Sequence, residues 1–129
     1  ASRTARSLMK GNLCVIPTDT VYGLVALDGL PEAVERIYAV KKRPKDKPFI
    51  RLIGRPESLR EYTDQALPPE LAAHWPGPLT IVFRGKGGGS AGVAVRFPRD
   101  PFLDSLFEEL GYSPIVFAWA TFGVISALA

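Results

Sequence analysis

The sequence predicts an α/β domain built on a mixed, twisted sheet. Three observations point there. Short apolar or β-branched runs at 13–16, 49–53, 79–83, 92–97 and 115–117 read as strands. Segments with helical spacing and helix punctuation lie among them, at 31–43 and 101–110. The alternation is uneven, and the Gly-rich residues 85–92 join two strands directly, so parallel and antiparallel neighbours are expected in one sheet.

In chain order, Ser2 to Lys10 predicts a short basic helix or arm, and Gly11-Asn12 the turn into the first strand. Leu13, Cys14, Val15 and Ile16 read as a buried strand that Pro17 ends, because proline cannot donate to a ladder. Thr18, Asp19 and Thr20 follow where that strand runs out, the place where open α/β sheets bind ligands, and Val21, Leu24 and Val25 anchor the turn on its far side. Asp28-Gly29-Leu30-Pro31 announces a helix, with Glu32 and Glu35 near the positive end of its dipole. Leu30, Val34, Ile37, Tyr38 and Lys41 share one face of it; Lys41-Lys42-Arg43 close it and Pro44 prevents continuation. Pro48 opens a strand over 49–53 in which Arg51 interrupts the apolar residues.

A short helix after Pro56, reaching Tyr62, and a helical turn or two between Pro68 and Trp75 come next. Leu79 to Phe83 is a strand by its β-rich composition, and Gly92 to Phe97 alternates into another that carries Arg96 near its end. Asp100 caps a helix from Pro101 to Leu110, whose Phe102, Leu103, Leu106, Phe107 and Leu110 form one face, with Gly111 as its stop. Ile115 to Phe117 is the final strand; residues 118–129 are apolar and carry no charge, and their assignment stays open.

A chain of 129 residues, 47% of them hydrophobic, suits one compact domain and excludes general disorder. The net charge of +3 and pI near 9.2 fit an anionic partner such as a nucleotide or RNA, and equally an ordinary basic surface. One cysteine excludes an internal disulfide, so the cytoplasm is the default compartment. No apolar run approaches the ~20 residues of a spanning helix, and the first ten residues lack a signal-peptide core.

Gly87, Gly89 and Gly92 have the spacing of a dinucleotide fingerprint but run into a strand instead of opening a helix, so they read as a flexible hairpin loop. His74 stands alone, without the companions a metal site needs, and reads as a surface or half-buried helix histidine. Cys14 reads as core packing. Two features point to chemistry. Lys41, Lys42, Arg43, Lys45 and Lys47 place five cations in seven residues, with the backbone between Pro44 and Pro48 restricted, as an oligophosphate requires, although such cations also complement a helix C-terminus. Arg96, at a strand end beside Pro98, suits either a carboxylate ligand or a surface salt bridge.

These residues carry a resemblance. Pro17-Thr18-Asp19-Thr20-Val21-Tyr22-Gly23-Leu24, then Ile37-Tyr38 with Lys41-Lys42-Arg43-Pro44 and Lys47-Pro48, then Trp75-Pro76-Gly77-Pro78-Leu79-Thr80, then Val93-Ala94-Val95-Arg96-Phe97-Pro98 resemble successive signatures of the YrdC family, in order, over residues 11 to about 116. The resemblance implies a twisted mixed sheet flanked by helices, with a basic concave face. It implies synthesis of threonylcarbamoyl-adenylate from L-threonine, bicarbonate or carbon dioxide, and ATP with Mg2+, the product passing through a downstream transferase to adenosine in tRNA. By the same resemblance Lys41 and Arg43 are the catalytic pair on the phosphates, with Lys47 beside them. Thr18, Thr20 and Tyr22 then shape the threonine pocket, and Arg96 holds the threonine carboxylate. It implies no membrane, and no protein ligand for the magnesium can be named.

The resemblance breaks at one point. Trp119 and Thr121 stand where the family has the serine and asparagine of a Ser-Ala-Asn element, and tryptophan cannot accept a hydrogen bond. Residues 1–129 thus read as one domain, shortened or divergent after about 116. Two other functions stay open: a non-catalytic member that binds nucleotide, tRNA or double-stranded RNA on the basic face, and a carbamoyl-transfer relative of the hydrogenase-maturation type.

Overall fold

The computed structural model describes residues 1–18, 22–42, 49–88 and 92–119. Helix α1 (Ser2–Met9) leads into β1 (Cys14–Pro17), which is followed by β2 (Tyr22–Leu27), α2 (Pro31–Lys41) and β3 (Ile50–Leu52). A 3-10 helix at Pro56–Glu61 and the short α3 (Pro69–Ala72) precede β4 (Thr80–Arg84); β5 (Gly92–Arg96), α4 (Pro101–Glu109) and β6 (Ile115–Trp119) complete the described chain. The six strands form one sheet in the order β1-β2-β6-β3-β5-β4, with β3 and β5 parallel and every other pair antiparallel. The expected mixed sheet is therefore observed, and the Gly-rich segment does join the antiparallel pair β4 and β5.

Both faces of the sheet are covered. On one, α1 and α4 bury Ala5, Leu8, Leu103, Leu106 and Phe107 against Ile16, Val25, Leu27, Leu52, Ile115 and Phe117. On the other, α2 packs Ala33 and Ile37 against Ala26, Val116 and Ala118, while the segment from Pro56 to Leu79 covers Ile81, Phe83 and Val95. Local signals account for the helices. Pro31 and Pro101 each occupy a first turn, and the Asp100 carboxylate accepts from the Leu103 N–H at 3.0 Å. Lys42 ends α2 in the left-handed region at φ 53°, and Gly111, at φ 64°, follows α4.

Three expectations are corrected. The first strand is an edge strand that includes Pro17, and it is buried on one face only: Ile16 is 2% exposed in the α1/α4 core, whereas Val15, on the other face of a strand with β2 as its single neighbour, is 62% exposed. An edge is also where proline is tolerated, so Pro17 pairs with Tyr22 instead of ending the strand earlier. Tyr22 to Leu27 is a strand where an anchored turn was expected; its apolar run is buried on both faces, which erases the alternation that marks a strand. β1 and β2 are consequently antiparallel neighbours, and the threonine-rich residues 19–21 lie outside the described residues. The last strand extends beyond Phe117 to Trp119 and lies near the middle of the sheet, where it pairs with both β2 and β3.

Cys14 is half-buried against the α1/α4 core, as expected, and His74 is exposed after α3. The described part of the Gly-rich connection is held: the Lys86 N–H donates to the Tyr62 carbonyl at 2.8 Å, and its Nζ donates to the Arg60 carbonyl at 2.9 Å. Among the described residues no helix is long and apolar enough to cross a membrane.

A polar seam separates the α2 core from the Pro56–Leu79 core. There the Tyr62 hydroxyl donates to Asp28 Oδ2, and Arg51 Nε lies 3.6 Å from Asp28 Oδ1. Burial, then the hydrogen bond to Asp28 and its negative charge, hold the Tyr62 phenol above its ordinary pKa of 10.0. The folded chain thus keeps a proton that the unfolded chain releases near pH 10. This contribution to stability is complete below that pH and is lost as pH rises above it. Urea unfolding across pH 8 to 11 is expected to show Tyr62→Phe losing less stability over that interval than wild type. Parallel curves would remove the role given to Tyr62.

Candidate active site

The register sorts the expected site residues into two groups. Leu27, Ile115, Leu52, Arg96 and Thr80 lie in one row across the sheet. Tyr22, which pairs with Pro17, and Gly23, which pairs with Trp119, lie at the opposite end. Tyr22 and Leu27 bound the six-residue strand β2, so the ends stand roughly 17 Å apart at ~3.3 Å per residue.

Lys41 belongs with the Tyr22 end. Helix α2 starts beyond Leu27, packs on β2 and runs back along it for 11 residues, roughly 16 Å at 1.5 Å per residue. Its last turn is fixed by Tyr38, whose ring centroid is 4.7 Å from that of Phe49, the residue before β3. Lys41 as a residue is half-buried, and partial desolvation lowers the pKa of its ammonium from the ordinary value. At the same end are half-buried Thr18, just past β1, and Tyr22, which is 63% exposed. The pairing with Gly23 also brings the Trp119 backbone there. Thr20, Arg43, Lys47 and Thr121 lie outside the described residues.

This end combines a cation at a helix terminus, a hydroxyl side chain at a strand terminus and an exposed aromatic. It can hold an anion beside a small polar ligand. The helix C-terminus alone would repel an anion, so the lysine charge has to dominate locally.

Arg96 is not brought to this group. Its Nη1 donates to Thr80 Oγ1 at 3.3 Å, at the far end of the sheet. The Trp75-to-Thr80 motif builds the support there: Trp75 Nε1 donates to the Leu79 carbonyl at 2.8 Å, its ring lies against Phe83 and Phe97, and the Gly77 N–H donates to the Phe97 carbonyl at 2.9 Å. A side chain on Gly77 would meet the His74 carbonyl oxygen at 2.5 Å, which explains the glycine in that motif. Among the described residues no group of three or more His, Cys, Asp or Glu is placed to hold a metal ion.

The model of the Sua5/YciO/YrdC family, described as telomere recombination, matches residues 6–122. The chain belongs to this family. Among its relatives, a threonylcarbamoyl-AMP synthase of Pyrococcus abyssi is 40% identical over 112 residues, covering 78% of this chain and 33% of the relative. One of Bacillus subtilis is 34% identical over 123 residues, covering 85% and 35%. A crystal structure of P. abyssi Sua5 complexed with L-threonine superposes with a TM-score of 0.78 at 34% identity, over 91% of this chain and 37% of that one. The chain thus spans about a third of the length of these relatives.

Sequence reasoning missed the seam of Asp28, Arg51 and Tyr62. The signal available was Arg51 itself, a charge inside an otherwise apolar strand. Such a charge is retained only with partners, and no pattern in the sequence said which.

Proposed function

We propose that this chain forms the YrdC-like part of a threonylcarbamoyl-AMP synthase, taking L-threonine, bicarbonate or carbon dioxide, and ATP accompanied by Mg2+. The observation that carries the reading is the convergence of Lys41 with Thr18 and Tyr22 at one end of the sheet. Family membership and the threonine-bound relative support it.

In this reaction the threonine amine adds to carbon dioxide and loses a proton, giving a carbamate. A carbamate oxygen attacks the α-phosphorus of ATP, the bond to the β-phosphate oxygen breaks, and pyrophosphate leaves with its electrons. The protein forms no covalent bond to substrate. Its task is to hold two anionic reactants together and to offset charge on the phosphates. Lys41, Arg43 and Lys47 are assigned to the phosphates, and Thr18, Thr20 and Tyr22 to threonine. The adenylate is consumed by a transferase acting on tRNA, and the cytoplasm is the proposed compartment.

Pyrophosphate release from ATP that requires both threonine and bicarbonate tests the reading. ATP binding without such release would overturn it. A second reading rests on Trp119 in place of the family serine: a nucleotide- or RNA-binding protein without synthase activity. RNA binding that survives loss of nucleotide binding would favour it.

The resemblance alone proposes Arg96 for the threonine carboxylate, whereas its Nη1 donates to Thr80 Oγ1 in the row opposite Tyr22, so kinetics has to decide the role. On that proposal Arg96→Ala raises the threonine requirement while the ATP requirement stays near wild type in steady-state kinetics. Equal changes in both would remove the role.

A further inference from the structure

We propose that Arg51 is a positioning residue for Lys41, acting through Phe49 and Tyr38. The inference rests on the assignment of Lys41 to the phosphates. Arg51 sits in the three-residue strand β3, on the α2 side of the sheet, where its pairing partners are Val116 and Val95. An apolar side chain would suit this place by burial alone; a guanidinium here is costly unless it is used.

Its use is visible in its contacts. Nη1 donates to the Phe49 carbonyl at 2.9 Å, and Nε, which has no hydrogen-bond partner, faces Asp28 Oδ1 at 3.6 Å. Asp28 is itself held by the Tyr62 hydroxyl, so the guanidinium is braced from the far side of the seam. Phe49 carries the effect onward. Its ring lies against Tyr38, one helical turn before Lys41, and its backbone leads into β3. Arg51 therefore fixes the residue against which the last turn of α2 is packed, without being placed at the anion-holding end itself. A side chain that sets the orientation of a charge in this way changes the affinity for whatever that charge binds, and leaves a ligand held elsewhere unaffected.

The test compares the full chain with Arg51→Met, Phe49→Leu and the double variant. Mg-ATP and threonine affinities are measured separately by calorimetry, and amide exchange over residues 38–42 without ligand. Arg51→Met is expected to weaken Mg-ATP binding at least about tenfold, with threonine affinity unchanged and exchange at 38–42 accelerated. The double variant is expected to lose no more than Phe49→Leu alone, because both changes break one line of contacts. Unchanged Mg-ATP affinity overturns the proposal. So do equal losses for both ligands in step with Tm, or additive losses in the double variant. If Arg51→Met does not fold, Arg51→Lys replaces it: a single nitrogen takes the place of the separate Nη1 and Nε that face Phe49 and Asp28, so the same Mg-ATP-specific loss is expected. Should wild type bind neither ligand, the synthase reading fails, and the exchange comparison still decides whether Arg51 orders the end of α2.

Discussion

Lys41→Ala is expected to lower threonine- and bicarbonate-dependent pyrophosphate release by at least about 100-fold, the scale of removing one charge-stabilising donor from a reaction centre. Its effect on stability is expected to be small. Lys41 is the last residue of α2, and a cation at a helix C-terminus contributes about 0.3–1 kcal/mol, worth only a few degrees in Tm. The two readouts therefore separate: turnover collapses while the melting curve barely moves. Lys42→Ala is the control. Lys42 is exposed and lies in the left-handed region at φ 53°, one step beyond the helix, so its removal is expected to leave turnover close to wild type. Unfolding of Lys41→Ala would make the cation structural, and wild-type turnover would remove it from the reaction.

Gly23→Ala is expected to be the most destabilising small substitution in the opening motif. A Cβ on Gly23 would stand 1.8 Å from Phe117 Cε2, with Cδ2 and Cζ at 2.5 and 2.6 Å. Phe117 is 5% exposed, on a strand paired with both β2 and β3, and it packs in the α1/α4 core. Relief requires either that the ring leave its place or that β2 and β6 separate. Overpacking of this kind costs about 1–3 kcal/mol and at times more, and about 3 kcal/mol is expected here. Urea unfolding should show a lower midpoint at unchanged slope. Phe117→Leu in the Gly23→Ala background should recover part of the loss, since the two changes act on one contact. Wild-type stability of Gly23→Ala would show that the strand shifts freely, and would leave the glycine unexplained by packing.

Gly23 also shows why parts of the motif could not be understood from the chain alone. In sequence it interrupts an apolar run; its reason is an aromatic ring 94 positions away, on a neighbouring strand. The cation cluster is the opposite case. A proline in the first turn, a helical stripe and a basic end are local signals, and they placed Lys41 at the end of α2. Thr18 was legible as a polar residue at a strand terminus, but its setting in a hairpin was not, because β2 is apolar on both faces and shows no period of two.

What the sequence determined by itself is local. It set the starts of α2 and α4 through Pro31, Pro101 and the Asp100 cap, the strand character of β4 and β5, and the resemblance to the family. Tertiary structure decided the rest. It put β6 near the middle of the sheet and β1 at its edge, sent Arg96 to the end opposite Thr18, and joined Asp28, Arg51 and Tyr62 across a seam. Caps and periodicity act between residues a turn apart, whereas strand order depends on pairings such as Leu52 with both Ile115 and Arg96, which the packing of the whole sheet selects.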